Sequence, residues 1–172
     1  MGAYVCRMWF IHVLCLFMAM APASFAQTNT ATPAPASRFT FTDEVKARLA
    51  ACYRASFTSL KAIGITGSVG KTSTKEFLAY LLSKSKKVLA TKGNLNNHLG
   101  LPLTLFELAP SQEYLVAELG ANHPGEIAFL AELLKPQAGI ITHIAPAHVE
   151  GFGSLEAITH AKLELFSALP EG

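Results

Sequence analysis

A lysine and a threonine at the head of a helix, with glycines just before them, are the means to hold a triphosphate. This chain carries them in Gly64-Ile65-Thr66-Gly67-Ser68-Val69-Gly70-Lys71-Thr72-Ser73. Glycines let consecutive backbone N–H groups converge on phosphate oxygens, and the helix N-terminus adds a partial positive charge. Gly67, Ser68, Val69, Gly70, Lys71, Thr72 and Ser73 are therefore expected to cradle the phosphates of ATP. Lys71 would reach the β- and γ-phosphates, and the Thr72 hydroxyl would sit on Mg²⁺. The longer form of the pattern has a glycine where Ile65 stands. The reading thus rests on the shorter Thr-Gly-x-x-Gly-Lys-Thr form and on its setting between a strand and a helix.

Other residues could join that chemistry. Glu118 ends the apolar run Tyr114-Leu115-Val116-Ala117, where a carboxylate can hold Mg²⁺, a hard cation that prefers oxygen ligands. Its plain alternative is an exposed glutamate at a strand end. His148 follows a fourth apolar run and falls on the same edge as the phosphate loop, whereas His143 and His160 read as solvated histidines. Asn94, Asn96 and Asn97 make the segment 93–100 rich in amides, which either cap turns or orient a phosphate or substrate without adding charge. Lys162, taken by itself, reads as a solvated lysine on a helix.

The elements that must position these groups alternate. Helical periodicity covers Asp43 to Ala55 and Thr72 to Ser83, the latter with Phe77, Leu78, Leu81 and Leu82 on one face. Strands are expected at 62–66, 87–91, 114–119 and 138–144, the last continuous and β-branched as buried parallel strands are. A short helix from Pro102 to about Leu108, a helix from Pro124-Gly125-Glu126 to Leu134, and a last one capped by Ser154 and running to Leu169 complete the set. Such alternation predicts an α/β fold, a P-loop-type parallel sheet with flanking helices. Ligands of such sheets gather at the carboxyl ends of the strands, where Gly67–Thr72, Glu118 and His148 all fall.

With 172 residues, 51% of them apolar and 15% charged, the chain is long enough for one core and too apolar for general disorder. The charge is about neutral outside the first residues, and no basic stripe with interleaved aromatics supports nucleic-acid binding. Residues 1–26 read as a signal-peptide-like leader. Arg7 precedes an apolar run from Met8 to Met20, and the small residues Ser24 and Ala26 stand at the −3 and −1 positions. That run is short of the roughly 20 residues a spanning helix needs, so no stable membrane association is expected. Residues 27–42, rich in Thr, Ala and Pro, read as a disordered spacer, and 43–172 as the folded body. The body holds Cys52 alone, which gives no intrachain disulfide and suits the cytoplasm. The leader conflicts with a cytoplasmic ATP site. A wrongly placed start or a fusion of reading frames is the preferred explanation.

Taken in order, Thr66 to Glu76, Gly93-Asn94-Leu95-Asn96-Asn97-His98 and Leu101-Pro102-Leu103-Thr104 resemble the central ATPase domain of the Mur ligase family. Glu118-Leu119-Gly120-Ala121-Asn122-His123-Pro124-Gly125-Glu126-Ile127 and His148 to Ser154 narrow the resemblance. They are similar to the branch that joins D-Ala-D-Ala to UDP-N-acetylmuramoyl-tripeptide in the cytoplasm. The resemblance covers roughly residues 60 to 172 and implies ATP and Mg²⁺, with an acyl phosphate formed on the peptide carboxylate and attacked by the dipeptide amine. It implies that Lys71 binds the triphosphate and that Thr72 and Glu118 hold one Mg²⁺. His148 would help hold a second, and Lys162 matches a lysine carried as a carbamate. Asn96 and Asn97 would lie near the γ-phosphate and the incoming carboxylate.

The family's sugar-nucleotide domain, adenine site and acceptor domain have no counterpart in these residues. The expectation is therefore a partial central domain that does not complete the reaction alone. A folylpolyglutamate or cyanophycin synthetase type of ligase is the near alternative, against which Asn94–Asn97 and Gly151–Ser154 speak. A non-catalytic nucleotide-binding remnant, in keeping with the leader, is the distant one.

Overall fold

The computed structural model describes residues 41–146 and 149–170. The leader and all but the last two residues of the expected spacer lie outside them. Those two residues, 41 and 42, already belong to the first helix. In chain order the elements are α1 (Phe41–Ala55), β1 (Lys61–Thr66), α2 (Lys71–Ser83), β2 (Val88–Ala90), α3 (Gly100–Phe106), β3 (Tyr114–Glu118), α4 (Glu126–Leu134), β4 (Ala138–Ile141), α5 (Val149–Phe152) and α6 (Leu155–Ser167).

The four strands pair in parallel in the order β2-β3-β1-β4. The chain moves one way along the sheet from β1 to β2 and the opposite way from β3 to β4. Right-handed crossovers then place α2 on one face and α4 on the other. The reversal leaves a crevice at the carboxyl ends of β1 and β3, the place where open α/β sheets bind ligands. Register fixes what meets there: Ile65 of β1 lies beside Glu118 of β3.

Helices α1, α3, α4 and α6 share one layer, with α1 packed on α3 and α4, and α6 on α4, β1 and β4. Leu101, Leu105, Leu115, Leu119, Ile127, Leu130, Leu134, Ile158 and Leu165 are fully buried between this layer and the sheet. On the opposite face α2 covers β2, β3 and β1. Its inward row is not the expected one. Lys75 is buried and Leu78 and Leu82 are half-buried, whereas Phe77 and Leu81 point to solvent. Positions 75, 78 and 82 follow helical spacing, so the single apolar stripe expected from 77 to 82 is split between two faces.

β4 is three residues shorter than its apolar run, because Thr142 and His143 turn away to bond Val69 in the turn after β1. α3 starts two residues before Pro102, which sits in its first turn, where a missing N–H is harmless. Ser154 caps α6 as expected, its hydroxyl accepting from the Ala157 N–H at 3.1 Å. Among the described residues no helix is long and apolar enough to cross a membrane.

One buried side chain ties the helical layer together. Arg54, at the end of α1, donates to the carbonyls of Leu134 (3.0 Å) and Lys135 (3.4 Å) at the end of α4. It also donates to Phe57 (3.1 Å) and Leu60 (3.3 Å) in the turn entering β1. A cation at a helix C-terminus meets the negative end of its dipole, and burial pushes the guanidinium below its usual range. Arg54→Met leaves those buried carbonyls without their donor. The expected loss is about 2–3 kcal/mol, read as a lower urea midpoint at an unchanged m value for the full chain.

Candidate active site

The site grows from the turn after β1. Gly67 has a φ of 140° and Gly70 a φ of 87°, conformations that favour glycine. A Cβ on Gly67 would also collide with the Thr142 hydroxyl. Gly70 is the N-cap of α2, so the first-turn N–H groups of that helix, which lack intrahelical carbonyls, open towards the crevice. The loop is stitched to the chain beyond β4. Ser68 N–H donates to the His143 carbonyl at 2.7 Å, the Ser68 hydroxyl to Ala145 at 3.0 Å, and the Thr142 hydroxyl to Val69 at 2.6 Å.

Lys71 curls back so that its ammonium donates to the Gly67 carbonyl at 2.9 Å, poised over the loop it would share with a phosphate. Thr72, one residue on, donates its hydroxyl to Glu118 Oε2 at 2.8 Å. Asn96 donates its amide to the other carboxylate oxygen, Oε1, at 2.9 Å. Glu118 itself is buried, 3% exposed, which rules out the plain reading of a solvated strand-end glutamate. Thr72 and Glu118 thus offer two adjacent hard oxygens. Among the described residues no group of three or more His, Cys, Asp or Glu forms a metal site unaided. The pair therefore suits a cation shared with phosphate oxygens.

A cavity of about 220 Å³ opens beside this pair, its lining including Gly67, Ser68, Lys71, Asn96, Asn97, Asn122, Glu126, Phe152 and Lys162. Lys162 is buried rather than solvated, because α6 lies against α4 and turns it inward, its ammonium 5.5 Å from the Phe152 ring centre. Burial pushes its pKa down to about 8; the neighbouring Lys71 charge lowers it too, and Glu126 and Glu164 oppose the shift. Glu164 also accepts from the Gly125 (2.8 Å) and Ala128 (2.9 Å) N–H groups, binding α6 to the N-terminus of α4.

The expected site residues therefore divide. Gly67, Ser68, Lys71, Asn96, Asn97 and Lys162 line the cavity, and Thr72 and Glu118 adjoin it through hydrogen bonds. Val69 and Ser73 are exposed, Val69 contributing its carbonyl to the stitch. Gly70 serves as the cap. Asn97 both faces the cavity and caps the turn entering α3, its Oδ1 accepting from Leu99 N–H at 3.1 Å and Gly100 N–H at 2.9 Å. Asn94 is exposed and does not line the cavity. His148 lies outside the described residues. Asn122 and Glu126 were not singled out from the sequence as site residues. Their signal lay in the segment after Glu118, whose glycine and asparagine mark a strand-end loop.

The family model of the Mur ligase middle domain matches residues 65–172. The UDP-N-acetylmuramoyl-tripeptide–D-alanyl-D-alanine ligase of Escherichia coli is 51% identical over 111 residues, 64% of this chain and 25% of the relative. Its namesake in Rickettsia prowazekii is 50% identical over 116 residues, 67% of this chain and 26% of the relative. Among solved structures, MurF from Acinetobacter baumannii superposes with a TM-score of 0.73 at 42% identity, covering 75% of this chain and 28% of that one. MurF ligase from Thermotoga maritima, in complex with ADP, gives 0.72 at 34% identity over 83% of this chain and 34% of that one. The chain spans about a quarter of the length of the curated relatives it matches.

The lowered pKa of Lys162 sets a pH dependence. Folding lowers it from 10.5 to about 8, so the folded chain releases this proton first. The stability cost of the buried ammonium is full below about pH 8 and fades as pH rises towards 10.5. Wild type should therefore gain stability relative to Lys162→Met between pH 7.5 and pH 10 in CO₂-free buffer, measured as the difference in urea midpoints. A constant difference would contradict the assigned shift.

Proposed function

Because the chain belongs to the Mur ligase family, carrying that family's middle domain over residues 65–172, we propose that it forms the nucleotide half of an ATP-dependent amide ligase. By the names of its relatives the substrates are UDP-N-acetylmuramoyl-tripeptide and D-Ala-D-Ala. The setting is cytoplasmic peptidoglycan-precursor synthesis. The observation that carries this reading is the Thr72–Glu118 contact at 2.8 Å, formed beside Lys71 at the switch point of the sheet.

The chemistry is phosphoryl transfer followed by acyl transfer. The peptide's terminal carboxylate takes the γ-phosphoryl group of ATP, ADP leaves, and the dipeptide amine displaces phosphate from the acyl phosphate to give the amide. Charge develops on phosphoryl oxygens, so the protein's work is positioning and cationic stabilisation. The Gly67–Ser73 loop presents N–H groups to the phosphates. Lys71 leaves the Gly67 carbonyl, 2.9 Å away, for a phosphate oxygen that can accept a charge-assisted bond. Thr72 and Glu118 would hold Mg²⁺ against the same phosphates, and when bound that cation neutralises the charge that builds there. Asn96 orients the Glu118 carboxylate through Oε1. Asn97 and Asn122 face the cavity and offer neutral groups to the incoming carboxylate.

Lys162 has the chemistry of a carbamate former. An amine with a pKa of about 8 is neutral often enough near physiological pH to attack CO₂. The nitrogen bonds the CO₂ carbon and gives up a proton to solvent, and the product is an anionic oxygen donor in place of a cation facing Lys71. His148 is proposed as the partner for a second Mg²⁺ on the grounds of family resemblance alone.

Calorimetric titration of the full chain with ATP and Mg²⁺ tests the reading. Lys71→Ala should weaken binding by about ten- to a hundredfold, the worth of one hydrogen bond to a charged group. Glu118→Gln should leave ATP binding in EDTA intact while removing most of the gain from Mg²⁺. Equal affinities in wild type and Lys71→Ala would sink the nucleotide site.

A further inference from the structure

Lys75 is completely buried, yet none of the chemistry above gives it a task. It lies one turn beyond Lys71 on α2, under the face that covers the sheet. Its ammonium donates to the Thr91 carbonyl at 2.7 Å and pairs with the Glu76 carboxylate at 2.7 Å. Burying an ammonium is costly even after relaxation, and an apolar side chain of similar length often serves packing as well or better. The reason for a lysine here is to be sought in what its donors hold.

They hold a joint. Thr91 is the first residue past β2 and is itself buried. Its N–H donates to the Val116 carbonyl at 3.1 Å, and its hydroxyl accepts from the Glu118 N–H at 2.9 Å. From Thr91 the chain leaves the sheet for the loop that carries Asn96 and Asn97. The Glu118 carboxylate and the asparagine loop therefore hang from one residue, and that residue is pinned by a cation on the same helix that carries Lys71 and Thr72.

We propose that Lys75 is a positioning residue that fixes Glu118 and Asn96 relative to Thr72 through Thr91. It rests on reading the Thr72–Glu118 pair as the metal–phosphate end of a nucleotide site. Lys75 touches neither phosphate nor metal. Its effect is to hold two oxygens, contributed by different elements, at the separation a shared cation requires.

Two measurements on the full chain test this with Lys75→Met. Amide hydrogen exchange needs no ligand. Protection at the Thr91 and Glu118 N–H groups should fall by about tenfold or more while that of Ile127 and Leu130 in α4 stays unchanged, the pattern of a local opening. Unchanged protection at Thr91 and Glu118, or an equal fall everywhere, overturns the proposal. Titration with ATP in Mg²⁺ and in EDTA then gives the ratio of the two affinities. That ratio should fall by about tenfold or more, as for groups that support a metal ligand from behind, with the EDTA affinity unaltered. A parallel fall in both affinities marks a structural role only and also overturns it.

No ATP binding by wild type would count against the nucleotide reading alone, and the exchange data would still decide whether Lys75 holds Glu118. If Lys75→Met does not fold, Thr91→Val becomes the deciding variant. It deletes the hydroxyl that accepts from Glu118 at nearly constant volume. It must lower the metal-dependent ratio, and an unaltered ratio overturns the proposed chain of contacts.

Discussion

The site depends first on the parallel pairing of β1 with β3. A one-residue slip in that ladder would turn Glu118 to the opposite face of the sheet, away from α2. With Ile65 set against Glu118, the turn after β1 and the end of β3 open on the same crevice. Helix α2 then starts where its Thr72 hydroxyl reaches the carboxylate. Strand reversal around β1 supplies the crevice, and register determines which side chains border it.

Buried charge is the second theme. Arg54, Lys75, Glu118 and Lys162 are all nearly inaccessible to solvent. The first two bond backbone carbonyls at places where elements end: the C-terminus of α4 for Arg54, and the first residue past β2 for Lys75, which also pairs with Glu76. Removing such a group leaves the buried carbonyls it serves unpaired, and each one fixes where chain segments turn. Glu118 and Lys162 differ, because each keeps a face on or beside the cavity and can exchange its present partner for a ligand. Glu164 belongs to the first kind in effect, since it locks α6 to the start of α4 and so orients Lys162 two residues before it.

Much of this was legible in the residues. Alternating apolar runs and glycine turns located four strands and most helices, and the phosphate loop stood out because it needs particular glycines and a lysine. What escaped depended on tertiary contact. The stripe from Phe77 to Leu82 looked like one buried face, yet the sheet receives the row through Lys75, a residue that burial statistics assign to the surface. Lys162 was indistinguishable from a solvated lysine until the packing of α6 was known, and only family resemblance drew attention to it. Asn97 satisfied both of its readings at once, cap and cavity wall, and local sequence could not weigh them. The early end of β4 was invisible because Thr142 and His143 fit a strand as well as they fit their bonds to the loop.

Those bonds carry a thermodynamic implication. Val69 and His143 form a bridge, and Ser68 and Thr142 add side-chain links to it, so the glycine turn proposed to hold phosphates is already shaped by the fourth strand's continuation. A flexible glycine loop would surrender conformational entropy on meeting a ligand, roughly 1–2 kcal/mol for each residue ordered. Here most of that ordering accompanies folding, which leaves more of the interaction energy available to affinity. On the proposed nucleotide reading, affinity is thereby linked to the integrity of a strand edge outside the phosphate-holding turn.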